Sequence, residues 1–361
     1  MMKKTTSNFL LFGHDTVECA YYLRKVYGSS LDFEQLAIEK ETLRQLKQPE
    51  PKVINLGGIE FLLQPYGSKS GFPFVISNQD FTISFGEFNN PSFFVKFRSL
   101  ALWREGAIAM HQRFMQWAER LGLMPLKTEG LSRVDFSFDY HLPVIDFDED
   151  NFVSLSVKDT QYRKDGKIQT FKLGESDVVL RIYDKVAEIE EQSGKSWFFE
   201  LWGIAENVWR VEWQVRKDIL KRFGIRTFAD LQDGQGDVLR YLVTEHSTLR
   251  EKIDDSNRSR WPLHPLWIDL QEQIDKLENQ GIYREIDQQA ILNERLMRMA
   301  ISMYGYLKRI AAVHCLQTGQ PMITDAEAMQ RLENLISRVH EPMAWQADVV
   351  KRMDSIRLGQ W

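Results

Sequence analysis

The sequence predicts an α+β fold: a largely antiparallel central sheet with helices on one face, followed by an all-helical C-terminal region. Three observations predict it. Short segments alternate apolar and polar residues with period 2, as in Phe81, Ile83 and Phe85 against Thr82 and Ser84. Strand clusters are twice followed by helical stretches, which places helices against a sheet instead of between parallel strands. The strand signal then stops near residue 251 and helical patterns run to the C-terminus.

In order, residues 7–13 read as a strand, and Asp15 opens a helix with Glu18 as capping partner. Residues 31–47 read as a second helix. Strands follow at 52–56, 59–65, 72–77, 80–86 and 92–98, then a helix from Leu100 to Leu121 and a loop from Gly122 to Gly130. The second half repeats this character, with no repeat at the level of residues. Its strands are 132–140, 152–158, 168–173, the run from Ser176 and 208–216, with Asp165-Gly166 as a hairpin turn. Helices are expected at 185–192, from 217 and from Thr227. The C-terminal helices are 263–279, 285–317, 324–339 and 343–357, the third opened by a Thr324/Glu327 capping box. The expected division is 1–125, 126–255 and 256–361, with Asn257 to Pro262 as linker.

Hydrophobic content of 43% supports a sizeable core. Cys19 and Cys315 lie far apart without metal-type spacing, which fits a reducing compartment and no disulfide scaffold. The N-terminal Lys3 and Lys4 are not followed by a signal-type apolar core, and no stretch of about 18 apolar residues occurs. A cytoplasmic protein without membrane contact is expected. With 46 Lys+Arg against 51 Asp+Glu, net charge −5, a uniformly basic nucleic-acid coat is excluded; a local basic groove is not.

The chemistry concentrates in Ser176-Asp177-Val178-Val179-Leu180-Arg181-Ile182-Tyr183-Asp184-Lys185. On a strand, Val178, Leu180 and Ile182 face one way and Arg181, Tyr183 and Lys185 the other, each cation about 6–7 Å along the chain from the tyrosine. A phenol has a pKa near 10, and neighbouring positive charge favours its phenolate and attracts a phosphodiester. Two further strands share this division. Arg133, Asp135, Ser137 and Asp139 lie opposite Val134, Phe136, Phe138 and Tyr140; Arg210, Glu212, Gln214 and Arg216 lie opposite Trp209, Val211, Trp213 and Val215.

If the three strands are neighbours, carboxylates converge beside Tyr183. Oxygen ligands of this kind suit Mg²⁺ or Mn²⁺. Asp135 and Asp139 are roughly 13 Å apart along one strand, so Asp135 with Glu212 is the favoured pair and Asp139 the reserve. Cross-strand ion pairs Asp135–Arg210 and Glu212–Arg133 would explain the same pattern without a metal. With the metal, Tyr183 would attack a scissile phosphate while Arg181 and Lys185 stabilise the transition-state charge. Arg133, Arg210 and Arg216, and in the linker Arg258, Arg260 and Trp261, are candidate DNA contacts by charge and stacking.

At these residues the chain resembles the single-tyrosine rolling-circle replication initiators of bacterial plasmids and the related relaxases of integrative conjugative elements. The resemblance is carried by Ser132-Arg133-Val134-Asp135 with Asp139, by Arg181-Ile182-Tyr183-Asp184-Lys185 with Glu188, and by Trp209-Arg210-Val211-Glu212. It spans roughly 75–220 and includes Pro91 to Trp103. It implies a metal-dependent, sequence-specific DNA nicking-closing enzyme with Tyr183 as nucleophile, linked covalently to the 5′ end. Implied partners are origin or transfer-origin DNA, a host helicase and a second copy of the chain. Where the family reads Tyr-Asn-Lys, this chain has Asp184, where the strand is expected to end. The His-hydrophobic-His motif of the wider relaxases is absent.

Alternatives are a metal nuclease using water and a non-catalytic DNA-binding regulator. Gly194-Lys195-Ser196 imitates a P-loop ending but lacks the first glycine, since Ile189 stands there. Tyr304 and Tyr306 read as helix packing residues.

Overall fold

The computed structural model describes residues 8–47, 49–277 and 288–357. They fall into two compact units, 1–284 and 285–361. In the first, the strands are β1 (Asn8–Lys25), β2 (Lys52–Leu56), β3 (Ile59–Leu63), β4 (Phe74–Ser77), β5 (Phe81–Phe85), β6 (Phe93–Phe97), β7 (Leu123–His141), β8 (Phe152–Ser154), β9 (Asp159–Lys164), β10 (Lys167–Leu173), β11 (Val178–Asp184), β12 (Val208–Arg216) and β13 (Ser247–Leu249). Its helices are α1 (Phe33–Arg44), α2 (Ser99–Arg120), α3 (Lys185–Glu188), α4 (Trp197–Trp202), α5 (Lys217–Arg222), α6 (Phe228–Tyr241) and α7 (Pro265–Asp275). The second unit holds α8 (Gln288–Thr318), α9 (Asp325–Val339) and α10 (Pro342–Arg357).

The expected α+β class holds. An 11-stranded sheet runs β2-β3-β4-β5-β6-β1-β7-β12-β11-β10-β9, and the pairings in it are antiparallel. Its spine is the pair β1–β7, 18 and 19 residues long. Both were read shorter. The helix expected from Asp15 is instead the continuation of β1, and the expected loop 122–130 is the start of β7.

The reason is burial. Val17, Cys19, Tyr21 and Leu23 alternate into the core between β6 and β7, and Glu18 pairs with Arg133 at 3.7 Å instead of capping a helix. Tertiary pairing thus overrides the local capping signal. Bulges along β1, one between His14 and Thr16, bend the long pair and leave Asp15 outside the ladder.

One face of the sheet carries the main core. Phe114 and Trp117 of α2 pack on Phe61, Phe81 and Phe93, Phe228 of α6 on Phe97, and Trp267 of α7 on Trp213. α2 kinks at Gly106, whose φ of 82° suits glycine. On the opposite face a smaller cluster of Ile189, Phe198, Trp202 and Val208 gathers Leu11 and Trp103, so α3 and α4 cover part of that side too. Gly13 makes room there: a Cβ on it would meet the Trp103 ring at 2.9 Å.

The division between units falls after 284, whereas the sequence placed it at 255/256. α7 belongs with the sheet because Leu266, Trp267, Leu270 and Ile274 are fully buried in its core and Trp267 Nε1 donates to the Val243 carbonyl at 2.8 Å. In the second unit, α9 opens with the expected Thr324/Glu327 capping box, and α8 packs on α9.

A chain ended after 277 is expected to melt cooperatively near the full-length temperature. One ended after 255 loses those four side chains, each worth about 2–5 kcal/mol when truncated, against a typical total of about 5–15 kcal/mol. It should therefore lack a cooperative transition in circular-dichroism melts; equal melting of the two fragments would refute this packing.

Candidate active site

The three strands singled out from sequence are neighbours: β7, β12 and β11. Register places Asp135 opposite Gln214, Ser137 opposite Glu212 and Asp139 opposite Arg210, then Glu212 opposite Arg181 and Arg210 opposite Tyr183. The shared polar face is thus real, and the alternation that buries Val134, Phe136, Val211 and Trp213 on the other side produces it.

Glu212 is the hinge of the site. Tyr183 Oη donates to its Oε2 at 2.9 Å, and Arg181 Nη1 donates to its Oε1 at 3.1 Å. Arg181 also reaches Gln214 Oε1 at 3.3 Å. Tyr183, Arg181 and Glu212 line a cleft of about 190 Å³, together with Thr170, Asp184, Glu188 and Glu191. Tyr183 itself is only 9% exposed. Burial, and then the Glu212 carboxylate, push its phenol well above the ordinary tyrosine range. The sequence reading expected flanking cations to favour the phenolate; the structure reverses this, because the nearest partner of the hydroxyl is an anion.

Lys185 does not reach into the cleft. It is 1% exposed, donates to Glu188 Oε2 at 2.5 Å, and lies 5.5 Å from the Tyr183 ring and 5.3 Å from Phe198. Burial and the charge of Arg210 lower its pKa. Position 184 explains this turn of the chain. β11 ends at Asp184, whose carboxylate caps α3 by accepting from the Ala187 amide at 3.0 Å. Lys185 is therefore the first helical residue and swings under the tyrosine instead of continuing the strand.

The remaining carboxylates divide. Asp139 is wholly buried, and both its oxygens accept from Arg210, Nε at 2.6 Å and Nη2 at 2.8 Å, with Trp202 Nε1 at 2.9 Å. Arg210 is equally buried, and its Nη1 donates to Asp15 Oδ1 at 2.8 Å. Asp139 is thereby removed as a metal ligand and Arg210 as a DNA contact. Asp15, which the sequence marks only as a helix cap, also accepts from Ser99 at 2.8 Å and Lys195 at 3.1 Å. Burial pushes its pKa up, but Arg210, Lys195 and Lys185 outweigh it and hold the carboxyl well below the usual range.

Asp135 is paired with Arg133 along its own strand, at 2.7 and 2.5 Å. Burial and the neighbouring Glu212 still push it up to about 6 against that arginine. The cross-strand pairs Asp135–Arg210 and Glu212–Arg133 do not form; the partners are Asp135–Arg133, Asp139–Arg210 and Glu212–Arg181.

The other candidates scatter. Arg216 is exposed at the end of β12. Trp261 is 5% exposed, with Nε1 donating to the Asp255 carbonyl at 2.7 Å, so it is a packing residue and no stacking platform. Arg258 pairs with Asp150 at 2.6 Å, and Arg260 lies 3.8 Å from Asp255. Tyr304 and Tyr306, read as packing residues, are more than half exposed on α8.

Among the described residues no cluster of three or more His, Cys, Asp or Glu could hold a metal ion. A metal held by Asp135 and Glu212 would have to displace Arg133, which grips both oxygens of Asp135 as Arg210 grips those of Asp139. Asp135 and Glu212 lie diagonally on adjacent strands, and the Ser137 hydroxyl between them is buried without a hydrogen-bond partner.

No protein-family model matches the chain, and no curated protein matches it. Among solved structures it is similar to a rolling circle replication initiator protein from Geobacillus stearothermophilus, at 16% identity and a TM-score of 0.43, over 74% of this chain and 98% of that one. A likeness this faint leaves function to the geometry of the site. No described helix is long and apolar enough to cross a membrane.

Asp139→Ala would leave Arg210 buried without its bidentate partner, a loss of about 3–5 kcal/mol. Urea unfolding of the variant should show it; a loss under about 1 kcal/mol, the range of exposed pairs, would contradict a structural role for this pair.

Proposed function

We propose that the chain is a DNA nicking-closing enzyme in which Tyr183 attacks a phosphodiester and becomes linked to the 5′-phosphate, serving rolling-circle replication or conjugative transfer. The observation that carries this reading is the Tyr183–Glu212 hydrogen bond at the floor of a cleft. A phenol held above its ordinary pKa is a weak nucleophile unless a base takes its proton as it reacts, and Glu212 Oε2 lies within general-base reach.

In the proposed step the Tyr183 oxygen forms a bond to phosphorus and its proton passes to Glu212. The bond from phosphorus to the 3′ oxygen breaks, and the leaving 3′ oxygen takes a proton from solvent water. The phosphotyrosine retains the bond energy, so a 3′-hydroxyl can reverse the step and close the strand. Arg181, bonded to Glu212 on the cleft wall, steadies that carboxylate and faces the added charge of the transition state.

Asp135 and Glu212 would hold a Mg²⁺ or Mn²⁺ ion, with Ser137 at hand between them. When bound, such an ion neutralises non-bridging phosphate oxygens. Origin or transfer-origin DNA would be the partner, and the C-terminal helices are assigned to origin recognition, dimerisation or helicase recruitment.

The wild type, incubated with single-stranded origin DNA and Mn²⁺, should give a denaturation-resistant protein–DNA adduct. Tyr183→Phe should give none, and Glu212→Gln should fall by about 10²-fold or more, the scale of a lost general base. Cleavage retained by Tyr183→Phe would transfer the chemistry to water. Metal binding has a separate readout. Mn²⁺ should raise the melting temperature of the wild type and leave that of Asp135→Asn unmoved; equal shifts would remove Asp135 as a ligand.

A further inference from the structure

The row of residues that contains Tyr183 continues outward across the sheet. Thr170 of β10 lies opposite Tyr183, and Tyr162 of β9 lies opposite Thr170. The next position, Phe171, is buried against Phe147 and Phe152 on the core face, so its neighbour Thr170 and the paired Tyr162 stand on the Tyr183 face. Thr170 lines the same cleft as Tyr183. A parallel row runs Glu212, Arg181, Lys172, Thr160.

Exposure rises steeply along the first row. Arg210 is fully buried, Tyr183 is 9% exposed and Tyr162 is 53% exposed. The helical segment that covers this face packs on Val208 of β12 and Leu11 of β1, and its Glu191 reaches the far end of β9 by pairing with Lys164 at 2.7 Å, while Thr160 and Tyr162 earlier on β9 remain exposed. The exposed part of these rows is therefore the stretch with Thr160 and Tyr162, beside the half-buried Lys172 and away from the Glu191–Lys164 bridge. Two strand spacings separate Tyr162 from Tyr183, about 10 Å, a distance of nucleotide scale.

We propose that β9 and β10 form a subsite for unpaired DNA beside the scissile phosphate, with Tyr162 stacking on a base and Lys172 meeting a backbone phosphate. This rests on the nicking-closing reading above. A phosphodiester seated at Tyr183 would have its chain directed along the Lys172–Thr160 stretch, because the helical segment covers the Val208 side and bridges to Lys164 at the other end. An exposed aromatic face next to a cation is what sequence-tolerant binding of a single strand uses. The subsite accounts for a DNA partner despite the acidic total charge, since it needs a short local track instead of a basic surface.

The full-length protein is titrated at low salt into a labelled oligo-dT of about 20 nucleotides, longer than the ~4–16 nucleotides such sites cover. Tyr162→Ala should weaken binding about fivefold or more, and Tyr162→Phe should retain it. A strand of the same length lacking bases should bind the wild type and Tyr162→Ala alike. Lys172→Gln should lower the salt dependence of binding by about 0.7 in log–log slope, the worth of one phosphate contact.

If the wild type binds oligo-dT and Tyr162→Ala binds it equally, the subsite is wrong and the nicking-closing reading survives. If Tyr162→Ala loses affinity for both strands in proportion, the defect is one of folding and stacking is refuted. If the wild type binds no single strand, both the subsite and the reading beneath it fall.

Discussion

Arg210 ties the site together. Its guanidinium is wholly buried, holds Asp139 with two donors and Asp15 with a third, and lies 4.5 Å from the Phe198 ring and 5.2 Å from Trp103. Those partners come from β7, β1, α4 and α2, so one side chain links the spine of the sheet to the segment covering its polar face. Burial opposes its charge, and Asp139 first among its partners restores it, raising the pKa well above the arginine norm. A buried ion pair contributes little against an apolar substitute, but it is costly to break on one side and tolerates few geometries. Its effect here is positional. With Arg210 fixed, Tyr183 opposite it on β11 is fixed too, and the hydroxyl meets Glu212 on the adjacent diagonal.

That arrangement makes the protonation state of Tyr183 the central chemical constraint. A site built to stabilise a phenolate would place cations at the oxygen. Here Lys185 is turned beneath the ring by the Asp184 cap, and Arg181 is engaged with Glu212 and Gln214. The resting hydroxyl therefore keeps its proton, which suits attack assisted by a base and disfavours an always-charged nucleophile in the absence of substrate.

The fold class, the antiparallel sheet and the shared polar face of three strands were legible because period-2 alternation survives in Val134 to Tyr140 and Trp209 to Val215. The end of β11 at Asp184 was legible from a polar residue on an apolar face. The length of β1 and β7 was not, because Asp15 and Glu18 imitate a helix cap and their true partners, Arg210 and Arg133, lie more than a hundred residues away in the chain. Distance hid the role of Asp15 and Lys195 for the same reason. Trp261 and Arg210 were misread because composition cannot separate an aromatic or a guanidinium at a surface from one that finds its partners inside.

Charge balance then limits how substrate can arrive. Burial first, and Glu212 after it, push the Asp135 carboxyl up to about 6 although Arg133 grips both its oxygens. A phosphodiester adds a further negative charge to the cleft beside Glu212 and Glu188. On the proposed reading a cation between Asp135 and Glu212 would offset that added charge. A divalent ion there would also offset the repulsion between the two carboxylates. Metal and DNA should therefore bind with positive coupling, each improving the site for the other, as reciprocal linkage requires.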